Sequence, residues 1–161
     1  MVHKTLTAVA CGVCLLTTAQ AKDVPFDFTH CYTGLSDIEI SETGDDKFYS
    51  FEMAGVIRSN SEAKTFDNAT SHCVGVIENA NDDWAMVVYC KLMSPDKDWI
   101  VYKQQRSPGD DTWDWVVASS GGKWKGATGT GASTRTTKTE QVKEGTSSNC
   151  NQHVGTLTLP D

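Results

Sequence analysis

Cysteine is the residue type whose chemistry is easiest to infer from this chain of 161 residues. Two of its six cysteines, Cys11 and Cys14, fall in an amino-terminal leader that we expect to be removed. The mature chain keeps four: Cys31, Cys73, Cys90 and Cys150. An even number in an exported chain predicts two disulfides, with three possible connectivities. A zinc site is not favoured, because no Cys-x-x-Cys pair survives removal of the leader.

The segment 74–92 offers one way to choose between the connectivities. Two runs rich in Val, Ile and aromatic residues flank a polar stretch, a pattern typical of a β-hairpin. A two-residue loop at Asn81-Asp82 places Cys73 opposite Cys90 on a non-hydrogen-bonded pair, where Cα atoms lie about 4.5 Å apart and a disulfide fits. A loop of three to five residues would give a different register. With the shorter loop, the remaining two cysteines pair by elimination: Cys31 and Cys150.

Tryptophan and tyrosine side chains are the candidate ligand-binding groups. Trp113 and Trp115 lie two apart on a predicted strand, so they project to the same side. If that side faces the interior of a barrel, the two rings could stack on an aromatic or sugar-like ligand, or they could simply fill the core. The side chains that we expect to line a ligand site are Trp113, Trp115, Tyr89 and Trp124.

Carboxylates and histidines are the other residue types that catalysis or metal binding would need. Asp110, Asp111 and Asp114 surround the two tryptophans, but no calcium-loop pattern occurs and the most direct interpretation is a solvated turn. Alternation along a strand points His30 and His72 away from the adjacent cysteines and toward solvent, which argues against a metal site. We therefore assign no catalytic residue, no metal and no cofactor.

Alternation of apolar and polar residues dominates the mature chain, and no window shows sustained helical spacing. In residues 48–57 the odd positions form one apolar side, while Ser50 and Glu52 face away, as in a half-buried strand. Similar patterns, separated by turn-forming clusters, predict further strands at 28–33, 36–41, 70–78, 84–93, 98–105, 112–119, 126–137 and 152–159. Short strands at such spacing without a helix predict a β-sandwich or a closed barrel.

The glycine-rich segment Gly121–Gly131 favours the barrel. Recurring glycines mark sharp bends or close backbone approach at barrel corners. A phosphate-binding loop is not favoured, because Gly122-Lys123 is followed by Trp124 rather than Ser or Thr. The segment resembles the Gly-x-Gly-Lys-aromatic-x-Gly-x-x-Gly-x-Gly string of lipocalin-like and allene-oxide-cyclase-like barrels. That resemblance implies an all-β, antiparallel up-and-down barrel of about eight strands that can hold one apolar ligand, and it carries over no catalytic residue.

The first 21 residues have the pattern of a signal peptide. Lys4 supplies the positive charge, Leu6–Leu16 the short apolar run and Ala19-Gln20-Ala21 the cleavage site. We expect a signal peptide at 1–21, one barrel domain at 22–161, and a secreted or periplasmic location. The formal net charge of −7 argues against nucleic acid or anionic lipid as a partner. No later segment is apolar for long enough to predict a membrane span.

Three functions are compatible with these features. We prefer a non-enzymatic exported barrel that binds a small hydrophobic or aromatic molecule. An isomerase or lyase-like enzyme in the same barrel would use a buried carboxylate such as Asp114, and its pKa would be raised. A protein-binding inhibitor or surface module would act through loops at one end of the barrel, and it would show a filled interior with apolar loop tips.

Overall fold

A computed structural model describes residues 21–43, 46–80, 83–107, 109–138 and 146–160. Within them, eight antiparallel strands close into a barrel, each strand pairing with its neighbour in sequence and the last returning to the first. The strands are β1 (Lys22–Thr43), β2 (Asp46–Ser59), β3 (Thr70–Ala80), β4 (Asp83–Met93), β5 (Trp99–Arg106), β6 (Thr112–Gly121), β7 (Thr128–Lys138) and β8 (Ser148–Leu159). The predicted all-β, up-and-down barrel is confirmed.

Residues 1–20 of the expected signal peptide lie outside the described part of the chain, so the leader stays a prediction. Among the described residues, no helix combines the length and apolar character needed to cross a bilayer.

The two strands expected at 28–33 and 36–41 are one continuous strand, β1. The pairing of β1 with β2 shifts by one residue at two places, one of them between Gly34 and Ser36. Such a β-bulge bends a strand without ending it. The alternation of apolar and polar residues changes phase at the bulge, although the hydrogen-bonded strand continues through it. For this reason the sequence predicted two strands where the structure has one.

Aromatic side chains fill one half of the barrel. We call this the closed end; it carries the β2–β3, β4–β5 and β6–β7 connections. The strands contribute buried apolar side chains there: Phe26, Phe28, Ile57, Leu92, Ile100 and Leu157. Phe66 and Trp124 come from the connections and cover these side chains, with ring centroids 4.6 Å apart. Trp124 therefore plugs the closed end and does not line an internal cavity.

Phe66 is held in a backbone conformation that a bulky residue rarely adopts. Its φ is 63°, in the left-handed region. The ring is nonetheless almost fully buried, and it makes edge-to-face contacts with Phe26 and Phe28. Burial of a phenyl ring contributes about 1.5–3 kcal/mol, which offsets a backbone cost of about 1–3 kcal/mol.

Asp98 anchors the β6–β7 connection. A carboxylate oxygen of Asp98 accepts a hydrogen bond from the backbone N–H of Lys123 at 2.8 Å, and the other pairs with the Lys123 ammonium at 2.9 Å. The backbone hydrogen bond, followed by the contact with the Lys123 side chain, lowers the pKa of the Asp98 carboxyl. Gly122, with a φ of 66°, provides the left-handed conformation that the connection needs.

Gly131 allows β7 to pass close to a large ring. A Cβ atom at this position would lie 2.7 Å from the carbonyl oxygen of Val154 and 2.8 Å from the indole of Trp115. Both distances are shorter than a carbon atom tolerates. This glycine of the segment Gly121–Gly131 is therefore required by close backbone approach, as the sequence suggested.

Two disulfides staple the barrel. Cys73–Cys90 joins β3 to β4, and Cys31–Cys150 joins β1 to β8, with a Cα–Cα distance of 4.0 Å in each pair. Ala80 pairs with Asp83, the register expected for a two-residue turn. Both predicted disulfides are confirmed. Because side chains alternate along a strand, Cys73 and Cys90 face the interior, where they are buried, and the other bridge faces outward.

We expect Gly131→Ala to reduce the free energy of unfolding by about 1–3 kcal/mol, because the added methyl group overpacks Trp115. Urea denaturation measures the change. Gly34→Ala is the matched control, because the atom nearest to its new methyl group is the Ser147 hydroxyl, at 2.9 Å, which can rotate away. Equal destabilisation by the two substitutions would contradict the interpretation.

Loss of the Cys31–Cys150 bridge should destabilise the protein more than loss of Cys73–Cys90. The bridges span sequence separations of 119 and 17 residues. The chain-entropy model assigns about 5 kcal/mol to the longer loop and about 3 kcal/mol to the shorter one. Thermal or urea denaturation of the two double-alanine variants measures the difference. The opposite order of stability would show that the entropy of the unfolded chain does not dominate the stabilisation by these disulfides.

Candidate functional site

A cavity of about 260 Å³ occupies the half of the barrel opposite the closed end. We call this half the open end. Asp37 and Arg135 line the cavity and are exposed, so it reaches solvent. Its apolar wall is formed by Phe51, Met53, Ile77, Met86, Val88 and the Cys73–Cys90 bridge. An engineered apolar cavity of about 150 Å³ binds benzene, so this cavity has room for a molecule of one or two rings.

The structure brings only one of the four expected aromatic side chains to the cavity. Trp113 lies on its wall. Trp115 packs deeper in the core, stacked on Phe26 with a centroid distance of 5.2 Å. Tyr89 lies on the outer face of the barrel, because the neighbouring Val88 and Cys90 point inward. The sequence therefore identified the correct side of β6, but Trp115 fills the core, Tyr89 faces solvent, and Trp124, as described above, plugs the closed end.

Two arginines at the mouth of the cavity were missed by the sequence analysis. Arg106 ends β5 and Arg135 lies on β7, and both line the cavity. The alternation along β5 could have identified Arg106, because this residue lies on the same side of the strand as Tyr102 and Gln104, which are buried. Cations that follow inward-facing positions of a strand are therefore candidates for the rim of a barrel, beside aromatic residues and carboxylates.

The indole of Trp113 lies at the mouth of the cavity and contacts both arginines. The guanidinium carbon of Arg106 lies 4.0 Å from the Trp113 ring centroid and 4.8 Å from that of Trp84. The guanidinium of Arg135 lies 5.6 Å from the same Trp113 ring. The Trp113 Nε1–H donates to the carbonyl oxygen of Asp110 at 2.9 Å. These cation–π contacts and the hydrogen bond hold the indole in one orientation.

The cavity lining holds two cations, Arg106 and Arg135, and one carboxylate, Asp37. Burial, and then the charge of Arg135, lowers the pKa of the Arg106 guanidinium, while Asp110 and Asp111 raise it. Arginine stays protonated in proteins, so both groups are cations. In the described part of the chain, no carboxylate lies within ion-pair distance of either guanidinium.

The deeper wall is polar but uncharged. His30 is almost fully buried, its Nε2 lies 2.6 Å from the hydroxyl of Ser71, and burial lowers the pKa of its imidazole to about 4. His153 packs in the core beneath the cavity, where it stacks on Phe28 with a centroid distance of 4.9 Å, and burial lowers its pKa as well. Both imidazoles are therefore neutral near pH 7.

The expectation that His30 reaches solvent is wrong. Its side chain does point away from Cys31, but the cysteine is the one that faces outward. His72 is exposed, as expected, and contacts Glu52. Among the residues that the structure describes, no group of three His, Cys, Asp or Glu side chains could hold a metal ion.

A buried amide lacks a partner at the cavity wall. Asn151 is 4% exposed and lines the cavity. Its Nδ2 donates to the Tyr32 hydroxyl at 3.4 Å, but no hydrogen-bond partner for its Oδ1 occurs among the described residues. An unsatisfied buried polar atom costs about 1–3 kcal/mol. This atom is therefore available to a polar group that enters the cavity.

The carboxylates near the tryptophans do not enter the cavity. Asp114 is exposed on the outer face of β6, between two inward-facing tryptophans. Asp110 is also exposed, and its Oδ2 accepts a hydrogen bond from the backbone N–H of Ser107 at 3.1 Å. The buried catalytic carboxylate proposed for an enzyme, Asp114, is therefore ruled out, and Asp110 belongs to a solvated turn.

Comparison with known proteins shows the fold and no family. No family model matches the chain, and no curated protein matches it. The solved structure of the pterocarpan synthase dirigent protein GePTS1 is 5% identical, with a TM-score of 0.58 over 96% of this chain and 100% of that chain. That of the pterocarpan synthase dirigent protein PsPTS1 is 6% identical, with a TM-score of 0.52 over 88% and 97%. These similarities support the barrel, and they do not single out a lipocalin-like or allene-oxide-cyclase-like member.

Burial of His30 should make the protein less stable in mild acid. The pKa of this imidazole is about 4 in the folded chain and near 6.5 when unfolded. Between these values the unfolded chain binds the proton more readily, so the free energy of unfolding falls as the pH falls, by roughly 2 kcal/mol from this residue at about pH 5. Urea denaturation at about pH 7.5 and about pH 5 measures the loss. His30→Gln should show a smaller loss, and an unchanged loss would contradict the assignment.

Proposed function

We propose that this barrel is an exported, non-enzymatic protein that binds a small aromatic molecule inside its open end. The observation that carries the proposal is the cavity of about 260 Å³, walled by apolar side chains and by the indole of Trp113. Ligand sites in proteins are typically concave, mostly apolar and provided with a few fixed polar groups. Tyr32 and Asn151 are such polar groups in this cavity.

The binding surface is preorganised, which favours affinity. The hydrogen bond to Asp110 and the stacked guanidinium of Arg106 already hold Trp113 in place. A ligand ring that stacks on the indole would therefore lose little free energy to ordering the protein. Aromatic stacking of this kind contributes about 0.5–1.5 kcal/mol beyond the burial of apolar area.

Binding is favoured over catalysis by the state of the groups in the cavity. A general base works best when its pKa lies near the operating pH. Burial lowers the pKa of His30 to about 4, and burial raises the pKa of the Tyr32 and Tyr102 hydroxyls above the usual value. Asp37, the carboxylate at the rim, is exposed.

Two features support export to an oxidising compartment. The leader at 1–21 has the pattern of a signal peptide. The two disulfides are of the structural kind that persists outside the cytosol.

Calorimetric titration of the mature protein with uncharged one-ring and two-ring aromatics, such as indole, naphthol and naphthalene methanol, tests the proposal. Trp113→Ala should weaken the tightest interaction roughly tenfold, because a stacking surface is lost, and Trp113→Phe should weaken it less than threefold or so. Tyr89→Ala is the matched control on the outer face and should leave the affinity unchanged.

Two results would overturn the proposal. One is that no aromatic in the panel binds to a protein shown to be folded by circular dichroism. The other is that Tyr89→Ala weakens binding as much as Trp113→Ala does, which would place the ligand on the outer surface.

A further inference from the structure

We propose that the aromatic ligand carries a carboxylate, which Arg106 and Arg135 bind together at the mouth of the cavity. This inference rests on the proposed function and names the chemical class of its ligand, a small aromatic carboxylate. The ring would lie against Trp113 and the apolar wall, and the carboxylate would face the two guanidinium groups. Four observations lead to this assignment.

The first observation is the position of the charge. The whole chain has a formal net charge of −7, yet two cations converge on one indole at the entrance of its cavity. Their mutual repulsion contributes to the lowered pKa of Arg106. Like charges near the same ring destabilise the ligand-free state, and an anion that contacts both guanidinium groups would relieve that repulsion.

The second observation is the orientation of Arg106. Its guanidinium carbon lies over the rings of both Trp84 and Trp113, and these two contacts restrict the position of the group. Its Nε is buried, with no hydrogen-bond partner among the described residues. A planar guanidinium whose donors are free matches the two oxygens of a carboxylate. The contacts with the two rings therefore keep the guanidinium of Arg106 at the mouth, where it can make a bidentate contact with a carboxylate.

The third observation is that the acidic groups nearby do not neutralise the pair. Asp37 is exposed at the rim, and a carboxylate oxygen of Asp110 is engaged by the backbone of Ser107. Asp111 is exposed in the same turn and acts on Arg106 at a distance. The cavity lining therefore has two cations against one carboxylate, that of Asp37.

The fourth observation is the contrast between the mouth and the deeper wall. His30 and Tyr102 line the deeper part and are uncharged near pH 7. A carboxylate placed there would lose its hydration without meeting a cation, which is unfavourable. The ligand can therefore enter in one orientation only, with its ring inward and its charge at the mouth.

A matched pair of ligands separates the charge from the ring: naphthoate and its uncharged analogue naphthalene methanol. Calorimetry on the mature protein should show naphthoate binding at least about tenfold more tightly. In Arg106→Gln and Arg135→Gln, naphthoate should bind about as weakly as the alcohol, while the affinity for the alcohol changes less than roughly threefold. Arg106→Lys should retain only part of the preference for naphthoate over the alcohol, because an ammonium makes no bidentate contact.

Arg58→Gln is the control for net charge, because Arg58 is exposed on β2 and does not line the cavity. It should leave the affinity for naphthoate unchanged. Arg135 is exposed, so Arg135→Gln keeps the test valid even if Arg106→Gln unfolds the barrel.

The results distinguish the two proposals. Equal affinity of the wild-type protein for naphthoate and the alcohol, or an equal loss of both in the arginine variants, would overturn the carboxylate assignment and leave aromatic binding in place. Failure of both ligands to bind a folded protein would overturn aromatic binding itself.

Discussion

The limited width of an eight-stranded barrel is the constraint on which this structure depends. An interior of this size is only just wide enough for its own side chains, so the size of each inward-facing residue decides whether that level is solid or hollow. In the closed half, the Trp115 ring stacks on Phe26 and meets the Tyr102 ring at a centroid distance of 5.0 Å. It fits only because its pairing partner on the neighbouring strand β7 is Gly131, which has no side chain to occupy the space of the indole. In the open half, methionine, valine and a disulfide occupy inward positions beside the rings of Phe51 and Trp113, and a cavity remains.

The same division separates neutral from charged groups. Several buried polar side chains in the middle of the barrel bond to one another within the wall, as His30 does to Ser71 and Ser133 to His153. The cations lie at the rim, where the guanidinium groups remain partly hydrated and rest on aromatic faces. The interior is apolar at the bottom, polar and neutral in the middle and positively charged at the entrance. It therefore suits a molecule that has an apolar ring at one end and a negative charge at the other. This gradient, rather than any single residue, is the basis of the proposed function.

Much of the fold was predictable from local patterns. The alternation in β2 correctly placed Phe51 and Ile57 inside, and the two-residue loop considered for the 79–83 turn predicted the register that joins Cys73 to Cys90. The bulge beside Gly34 was not predictable in this way. A bulge and the end of a strand both interrupt the alternation of apolar and polar residues, so the sequence does not distinguish them. The candidate site was only partly predictable. Alternation grouped Trp113 with Trp115, but it carries no information on depth along the barrel axis.

By itself, the sequence determined the all-β class, most of the strands and the shared side of Trp113 and Trp115, because these follow from a period of two residues. It also limited the disulfides to three connectivities and favoured the observed one if the hairpin loop is short. Only the tertiary structure decided that Tyr89 faces outward, that Trp115 fills the core and that the guanidinium groups of Arg106 and Arg135 both lie near the Trp113 ring. The physical reason is barrel closure. It brings β5, β6 and β7 to one rim and sets the level of each side chain through the stagger between neighbouring strands, which depends on the whole ring of strands and not on any local segment.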